Sequence, residues 1–518
     1  MTVSKRNSAE MANIDEVELE AAGYVQAMPR QFSMWSLGAL SFTLTCTWLG
    51  TGASLGIGIG EAGPAGALWS LVVAGVMTLV VSAGMAELAS AYPVAGAQYY
   101  WSFMVASDKY KAFASYLNAW MSIIGWWLAS GSVANFIASM LVEIASIWHP
   151  DFEPHQWQIY LIYVALIWLA AALNILGSRI LPLYNQFVFM LSILTLGSTM
   201  IALFVVSRNK HASGQFIFAD TTGQSGWTSE GFTFLLATSN AVFGFMGSDC
   251  GAHLCEEIAN PAKYVPMVIM YPLVIGLLTA FPFAASLIYS ITDLEAILNT
   301  VTGLPLIEIY FQATGSRVAA SVLLSAFTFC FFGCLVGVGT TCSRTIWAVS
   351  RDGVLPFSNL WMSIHSAFTM PANATLLTAI CVTLYGLIFL GSTTAFSAMV
   401  NTTILFLQTS CVIPQAILLY RGRDRVLPRR YFNLGKLGPF VNGISNMSYV
   451  TVVVTGLLSF VVILWVATKR GTFTGPHINV ELMNERRQAA LDSNLGGGDP
   501  EISEVGSIRT HGNMKDAT

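Results

Sequence analysis

Eleven stretches of about twenty apolar residues, the length that crosses a bilayer, punctuate this chain. They fall at 34–60, 66–90, 114–147, 157–176 and 183–206, then at 230–251, 265–290, 317–348, 372–391 and 394–420, with one more at 447–468. The first stretch of each set of five is interrupted near its middle by glycines and small polar residues. One reads Thr47-Trp-Leu-Gly-Thr-Gly-Ala-Ser-Leu-Gly-Ile-Gly-Ile-Gly60, the other Asn240-Ala-Val-Phe-Gly-Phe-Met-Gly-Ser-Asp-Cys-Gly251. Lipid cannot satisfy the N–H and C=O groups that an unwound helix frees, so a break is tolerated only inside protein or along a cavity. Paired breaks at corresponding positions of two halves point to the substrate site of a secondary transporter. The pattern therefore predicts an all-α polytopic membrane protein.

Composition agrees with the class. Charged residues make up 10% of the 518 and apolar ones 54%, with a mean hydropathy of +0.62, whereas soluble domains carry about a quarter charged residues. The net charge of −4, with no basic stripe interleaved with aromatics, gives no reason to expect nucleic acid as a partner. All eight cysteines lie in or beside apolar spans, so no extracellular disulfide framework is expected. Cys330 and Cys334 sit one helical turn apart without a histidine or carboxylate beside them, so no metal site is expected. No glycine-rich phosphate loop ends in Lys-Ser/Thr, which disfavours ATP-driven transport. No Ser/His/Asp or Cys/His constellation recommends an enzyme, and no cofactor is expected. The sequons at Asn373 and Asn401 fall in or near spans, where glycosylation is not expected.

Lysine and arginine placement orients the spans. With the N-terminus in the cytoplasm, that side carries Lys5, Arg6, Arg30, Lys109, Lys111, Arg179, Lys263, Arg344, Arg351 and the cluster from Arg421 to Lys436. The opposite side carries only Arg208, Lys210 and Arg317. Positive charge gathers in the cytoplasm. The expected organisation is a cytoplasmic tail over 1–32, a first five-helix unit over 33–206, an extracellular loop over 207–229 and a second five-helix unit over 230–420. A cytoplasmic basic loop over 421–446, a last span over 447–468 and a disordered tail over 469–518 complete it. Both polar ends are expected to be disordered. The eleventh crossing leaves Lys469 and Arg470 on the side that cations avoid.

Several motifs resemble those of the amino acid–polyamine–organocation superfamily, and within it the fungal amino acid/choline/GABA permease family. Ala86-Glu-Leu-Ala-Ser-Ala-Tyr-Pro-Val-Ala-Gly-Ala-Gln-Tyr-Tyr100 looks like the signature after the second helix. Asn118-Ala-Trp120 with Gly125-Trp-Trp127 is similar to the start of the third. Phe245 to Pro261, followed by Val265-Pro266, resembles the sixth-helix motif. Ser343-Arg344, Ser350-Arg-Asp-Gly-Val-Leu-Pro356 and Pro371 match the loop after the eighth. The resemblance implies two inverted five-helix repeats, a leucine-transporter-type core, plus one or two further C-terminal helices. It places the substrate at the breaks in helices one and six and implies transport by alternating access. Relatives have twelve helices. Here Val441-Asn-Gly-Ile-Ser445 runs almost directly into Asn446-Met-Ser-Tyr449, so about one helix, the family's eleventh, is missing from the pattern.

The candidate substrate-binding residues are those of the two breaks. In the first, Gly50, Thr51, Gly52, Ala53 and Ser54 would let the backbone leave helical geometry, and the freed N–H groups at a half-helix N-terminus suit a carboxylate. In the second, carbonyls around Phe243, Gly244, Phe245, Met246 and Gly247 face an ammonium or quaternary amine, and Phe243 and Phe245 offer cation–π faces. The competing reading makes the glycines a tight packing surface. Asp249 has two readings, a proton-coupling or amine-facing carboxylate, or a member of the polar cytoplasmic end with His253, Glu256 and Glu257. Its place one to two turns past the break favours the second. Glu256 and Glu257 are positioned to pair with Arg344 or Arg351 as an inner gate. Glu87 belongs to the cytoplasmic entrance, and Glu143 is expected at the interface. Trp120, Trp126 and Trp127 are expected to pack or to sit in the aromatic belt. Polar residues of the fifth span are Asn185, Gln186, Ser192, Thr195 and Ser198, with no lysine to stand in for a sodium ion. The expected function is gradient-driven transport, with a proton the favoured coupling ion, of an amine-bearing solute such as an amino acid, GABA or choline. Location in the plasma membrane is favoured. An exporter of an amine-containing metabolite and a nutrient sensor of the same fold are the alternatives.

Overall fold

Helix follows apolar length along this chain, and the departures from it mark where chemistry sits. The computed structural model describes Asp15, Leu19 and residues 24–45, 47–149, 151–300, 304–428 and 430–447, with the side chains of 393–401 and 447 left aside. All of them belong to the compact unit Met1–Thr455. The expected span at 447–468 and the tail beyond lie outside the described residues.

The long elements are α1 (Met34–Thr45), α2 (Thr47–Ala91), α3 (Ala97–Val105), α4 (Lys111–Trp148), α5 (Gln156–Leu176) and α6 (Leu181–Val206). They continue as α7 (Glu230–Ala241), the one-turn α8 (Cys250–His253), α9 (Pro261–Tyr289), α10 (Arg317–Arg351), α11 (Ala372–Gly391), α12 (Thr393–Arg421) and α13 (Gly438–Met447). No strand forms among the described residues; extended pairing is confined to the bridges Phe32–Ile258 and His365–Met370. Eight stretches are long and apolar enough to cross a membrane, with Met34–Ala91 taken as one. That stretch has 58 residues, and a helix of that length would be about 87 Å long against a hydrocarbon core of about 30 Å. It is bent at Gly63 (φ 73°, ψ 175°). Pro64 follows, where a fixed φ and a missing N–H cost a new helix nothing. A side chain at Gly63 would meet the Thr221 and Thr222 backbone at 2.7 Å. Ala65 N–H donates to Asp220 O and Gln224 N–H to Gly60 O, which tie the bend to the 219–224 segment.

Elsewhere the helices begin where local chemistry permits. Ser316 and Ser229 cap α10 and α7 by accepting from Ala319 N–H and Phe232 N–H, which satisfies donors that a helix start leaves free. Pro261 opens α9 after Asn260 turns left-handed at φ 52°. The core lies where α2 packs on α7 and α9, and where α4 packs on α10 and α12. The outer faces of α5 and α6 leave Leu161, Leu169, Leu183, Phe187, Leu194 and Ile201 exposed. A bilayer covers such a band; water does not.

Two expectations about the periphery are corrected. Residues 24–33 are not a free tail, because Met28 and Phe32 are buried and Phe32 N–H donates to Glu257 O at 3.1 Å. Residues 438–447 are not loop: they form α13 against α12 and α2, burying Asn442 and Ser445. Glu143, expected at the interface, is buried inside α4 near the end of that helix.

Candidate functional site

The second interrupted span unwinds fully. After α7 comes a turn of 3₁₀ helix at Val242–Phe245, then Met246 is extended (φ −68°, ψ 157°) and Gly247 takes φ +77°, which an L side chain rarely adopts. Leu44 occupies the space that a Gly247 side chain would fill. One turn of α8 and a 3₁₀ turn at Cys255–Glu257 follow before the chain extends again at Ile258.

The first interrupted span behaves otherwise. Gly50 to Ser54 lie in regular helix inside α2, and their hydroxyls stay within it: Thr51 Oγ1 donates to Thr47 O at 2.7 Å and Ser54 Oγ to Gly50 O at 2.8 Å. The expected break at these residues is therefore corrected. Gly50 and Gly52 serve close approach. A Cβ on Gly50 would lie 2.8 Å from Gly244 Cα, and one on Gly244 would lie 3.1 Å from Thr47 O. The two interrupted spans thus cross backbone to backbone at Gly50 and Gly244. Gly52 faces the rings of Phe327 and Phe283 at 3.0–3.3 Å, against which Trp48 stands edge-on while its indole N–H donates to Ser192 Oγ.

Beside this crossing lies a cavity of about 20 Å³ lined by Leu44, Thr45, Trp126, Ala129, Val133, Phe243, Met246, Gly247, Cys334, Val338 and Leu407, room for about one water molecule. Of the ten residues expected at the two breaks, Phe243, Met246 and Gly247 line it. Phe245 points instead toward Gly75 and Leu277, and the five candidates of α2 stay in their helix contacts. Phe243 meets Phe136 edge-on at 5.3 Å. Trp126, expected to be packing or belt, is a wall of the cavity. Its ring is buried and its indole N–H finds no partner among the described residues. The signal was its place one turn past Asn118 to Ser122, on the face of α4 that carries small residues.

Toward the face that carries the N-terminal segment, the cavity is sealed by buried charge. Glu257 Oε1 accepts from Arg344 Nε at 2.8 Å, and Glu256 accepts from both terminal nitrogens of Arg351 at 3.0 and 3.1 Å. Arg344 is 0% exposed and Glu257 1%. Removing one partner of such a pair costs about 3–5 kcal/mol, so these contacts hold α10 firmly to the unwound stretch. Asp249 accepts from Gln98 and lies 3.2 Å from His253 Nε2. Asp249 is thus buried among partners of its own, apart from the two arginines. The 24–33 segment straps the outside: Gln26 donates to Glu256 O, Gln31 to the Glu257 carboxylate, and Tyr24 lies under Arg351 at 3.7 Å. Tyr24 and Tyr99 both donate to Asp352. Burial, then that carboxylate, pushes both phenols up and keeps them neutral donors. Glu87 is also buried and accepts from Arg423, Arg430 and Leu434 N–H. A wider basin of about 640 Å³ opens outside this seal among Arg30, Tyr92, Tyr100, Glu256 and Arg430.

The arrangement places unwound backbone and aromatic rings around a cavity the size of one water molecule, with buried ion pairs on the side of the N-terminal segment. Comparison with known proteins agrees. Residues 32–483 match the family model described as amino acid permease. The chain is 30% identical over 475 residues to a choline transporter of Saccharomyces cerevisiae, covering 86% of this chain and 84% of that one. It is 28% identical over 502 residues to amino-acid permease BAT1 of Arabidopsis thaliana, with 90% and 96% covered. It is 27% identical over 447 residues to a 7-keto 8-aminopelargonic acid transporter of Saccharomyces cerevisiae, with 76% and 78% covered.

Proposed function

The chain belongs to the amino acid permease family, a multi-pass membrane transport protein by that membership, and we propose that it is a secondary active transporter of a small amine-bearing solute. The observation that carries this reading is the unwound stretch 242–249 crossing α2 at Gly50, with an aromatic cavity beside the crossing. Unwound backbone at membrane depth supplies N–H and C=O groups to a ligand without a charged side chain. No Asp, Glu, Lys or Arg lines the cavity. A cationic amine is therefore met by the rings of Trp126 and Phe243 and by carbonyls, and a carboxylate by backbone N–H groups.

An amino acid, GABA or choline satisfies that chemistry, and the names of the relatives span amino acids and choline. In the reading proposed, the two interrupted spans head two inverted five-helix repeats, and ten crossings form the core. The face with the N-terminal segment is cytoplasmic, where the positive charge gathers, and the plasma membrane is the favoured location. The Glu256–Arg351 and Glu257–Arg344 pairs form an inner gate, and the cavity enlarges when one bundle rocks against the other. Coupling to protons supplies the driving force.

The test is uptake of labelled choline, GABA and amino acids by cells that lack their own permeases. Saturable accumulation of one amine-bearing solute is the expected result. Saturable binding without accumulation would overturn transport in favour of a sensor, and accumulation from inside to outside would reverse the direction.

A further inference from the structure

Asp249 and His253 form a buried pair whose contacts have room for one proton more than a carboxylate and a neutral imidazole carry. Both ring nitrogens of His253 face acceptors: Nδ1 lies 3.3 Å from Ala95 O and Nε2 lies 3.2 Å from Asp249 Oδ2. A neutral imidazole has one donor nitrogen. Both contacts are hydrogen bonds at once only if His253 is an imidazolium that donates to both, or if His253 donates from Nδ1 while a protonated Asp249 donates to Nε2. In either case the pair holds one proton beyond a neutral histidine and a carboxylate. Charge balance requires the same. Asp249, Glu256 and Glu257 are buried together, and the two arginines that reach them, Arg344 and Arg351, neutralise Glu257 and Glu256. Without the extra proton the Asp249 carboxylate would be buried with no arginine or lysine as its partner among the described residues, which a buried charge tolerates poorly.

Resting on the transporter reading, we infer that Asp249 and His253 form the site that binds the coupling proton. The pair is placed to report on both events that transport must link. Trp126, a wall of the cavity, stands edge-on to His253 with ring centroids 6.1 Å apart. The other partners, Ala95 O and Gln98 Nε2, belong to the turn before α3 and to α3 itself. Ala95 is also held by its N–H to Glu256 Oε1 at 3.1 Å, so opening the Glu256 gate loosens the same turn. Separation removes the carbonyl that accepts from His253 and the amide that donates to Asp249. It also admits water, which accepts the proton, and the pair passes from net neutral to net negative. The remaining titratable groups nearby are thiols, Cys250 beside Asp249 and Cys411, which Gln98 Nε2 meets at 3.6 Å. The proton is thus retained while the N-terminal face is closed and lost when it opens.

The experiment compares wild type with Asp249→Asn and His253→Gln in vesicles, measuring uptake driven by a pH gradient and counterflow exchange without one. The amide introduced by Asp249→Asn keeps a hydrogen-bond donor toward His253, as the protonated acid does, but has no proton to release. The ratio of driven uptake to counterflow is expected to fall at least about ten-fold in both variants, an effect worth about 1.4 kcal/mol. A wild-type ratio in either variant, with wild-type uptake still driven by pH, overturns the inference and leaves the transporter reading standing. Wild-type counterflow with no response to a pH gradient overturns proton coupling and the inference with it, whereas absent counterflow removes the transporter reading itself. Should neither variant reach the membrane, wild-type affinity decides. It is expected to change with pH by one linked proton, and an affinity independent of pH overturns the inference.

Discussion

The two interrupted spans use glycine for opposite purposes. In the second, Gly247 at φ +77° is part of the unwinding itself, and the chain needs three short helical pieces to travel from Ala241 to Ile258. In the first, Gly50, Gly52, Gly56 and Gly58 all remain helical, and what they provide is absence of bulk: the Gly244 backbone, the Phe327 ring, Pro305 and Ala67 fill the places of their side chains. A glycine-rich segment in a membrane span is therefore not by itself a break. The backbone leaves helical geometry where side chains or ligands compensate its polar groups, and it stays helical where a neighbouring backbone presses in.

The largest effect should come from the point where the two spans meet. Gly244→Val and Gly50→Val strike one contact from opposite sides, and the obstacle is backbone, which cannot rotate away as a side chain can. Each should exceed the usual overpacking cost of about 1–3 kcal/mol and abolish uptake while leaving membrane insertion intact. Uptake at normal affinity in either variant would mean that the crossing does not form the site.

Gly247→Ala separates the two uses of glycine. Its left-handed conformation costs an alanine about 1–2 kcal/mol, and Leu44 must also give way. A fall in thermal stability with a parallel loss of uptake is expected. Unchanged stability would show that the unwound stretch tolerates an ordinary residue, as a packing glycine does.

How much of this could be read in advance depended on whether the signal was local. The unwinding at 242–249 was legible because Gly244 and Gly247 stand beside Ser248 and Asp249, residues that an apolar helix has no reason to carry. The regular helix over Gly50 to Ser54 was not, since a glycine that admits a neighbouring backbone and one that unwinds a helix look alike in sequence. The partners of Glu256 and Glu257 were narrowed to Arg344 and Arg351, two of the cations placed on the same side. Which pairs with which depends on the rotation of α10 against the unwound stretch, a tertiary property. The docking of residues 24–33 was hidden by the acidic composition before them, while its buried apolar anchors are just Met28 and Phe32. Trp126 was misplaced because an apolar ring on an apolar helix looks alike whether it faces lipid, core or cavity.

Trp126→Phe addresses the cavity beside the second interruption. The ring stays and the unpartnered N–H goes. Removing a buried donor that lacks a partner relieves about 1–3 kcal/mol, so the ligand-free protein should melt higher. If a solute accepts from that N–H, KM should rise several-fold, the loss of about 0.5–1.5 kcal/mol. A higher melting temperature with unchanged KM would make the ring a wall and nothing more.

The smallest effect tests the packing interpretation of the first span at its far end. Gly60 is helical, and a Cβ there would meet only Leu298 at 3.8 Å, an ordinary contact. If the glycines of α2 exist to admit neighbours, Gly60 has little to admit, and Gly60→Ala should be neutral or stabilise by up to about 0.5–1 kcal/mol through reduced backbone freedom. Its carbonyl still accepts from Gln224 N–H, because that bond does not involve the side chain. If the glycines serve instead to let α2 flex during transport, Gly60→Ala should slow uptake while raising the melting temperature. Uptake within about two-fold of wild type (under 0.5 kcal/mol) therefore assigns the run to packing, and a larger loss with higher stability assigns it to motion, which would bring the two interruptions closer in kind than their geometry alone implies.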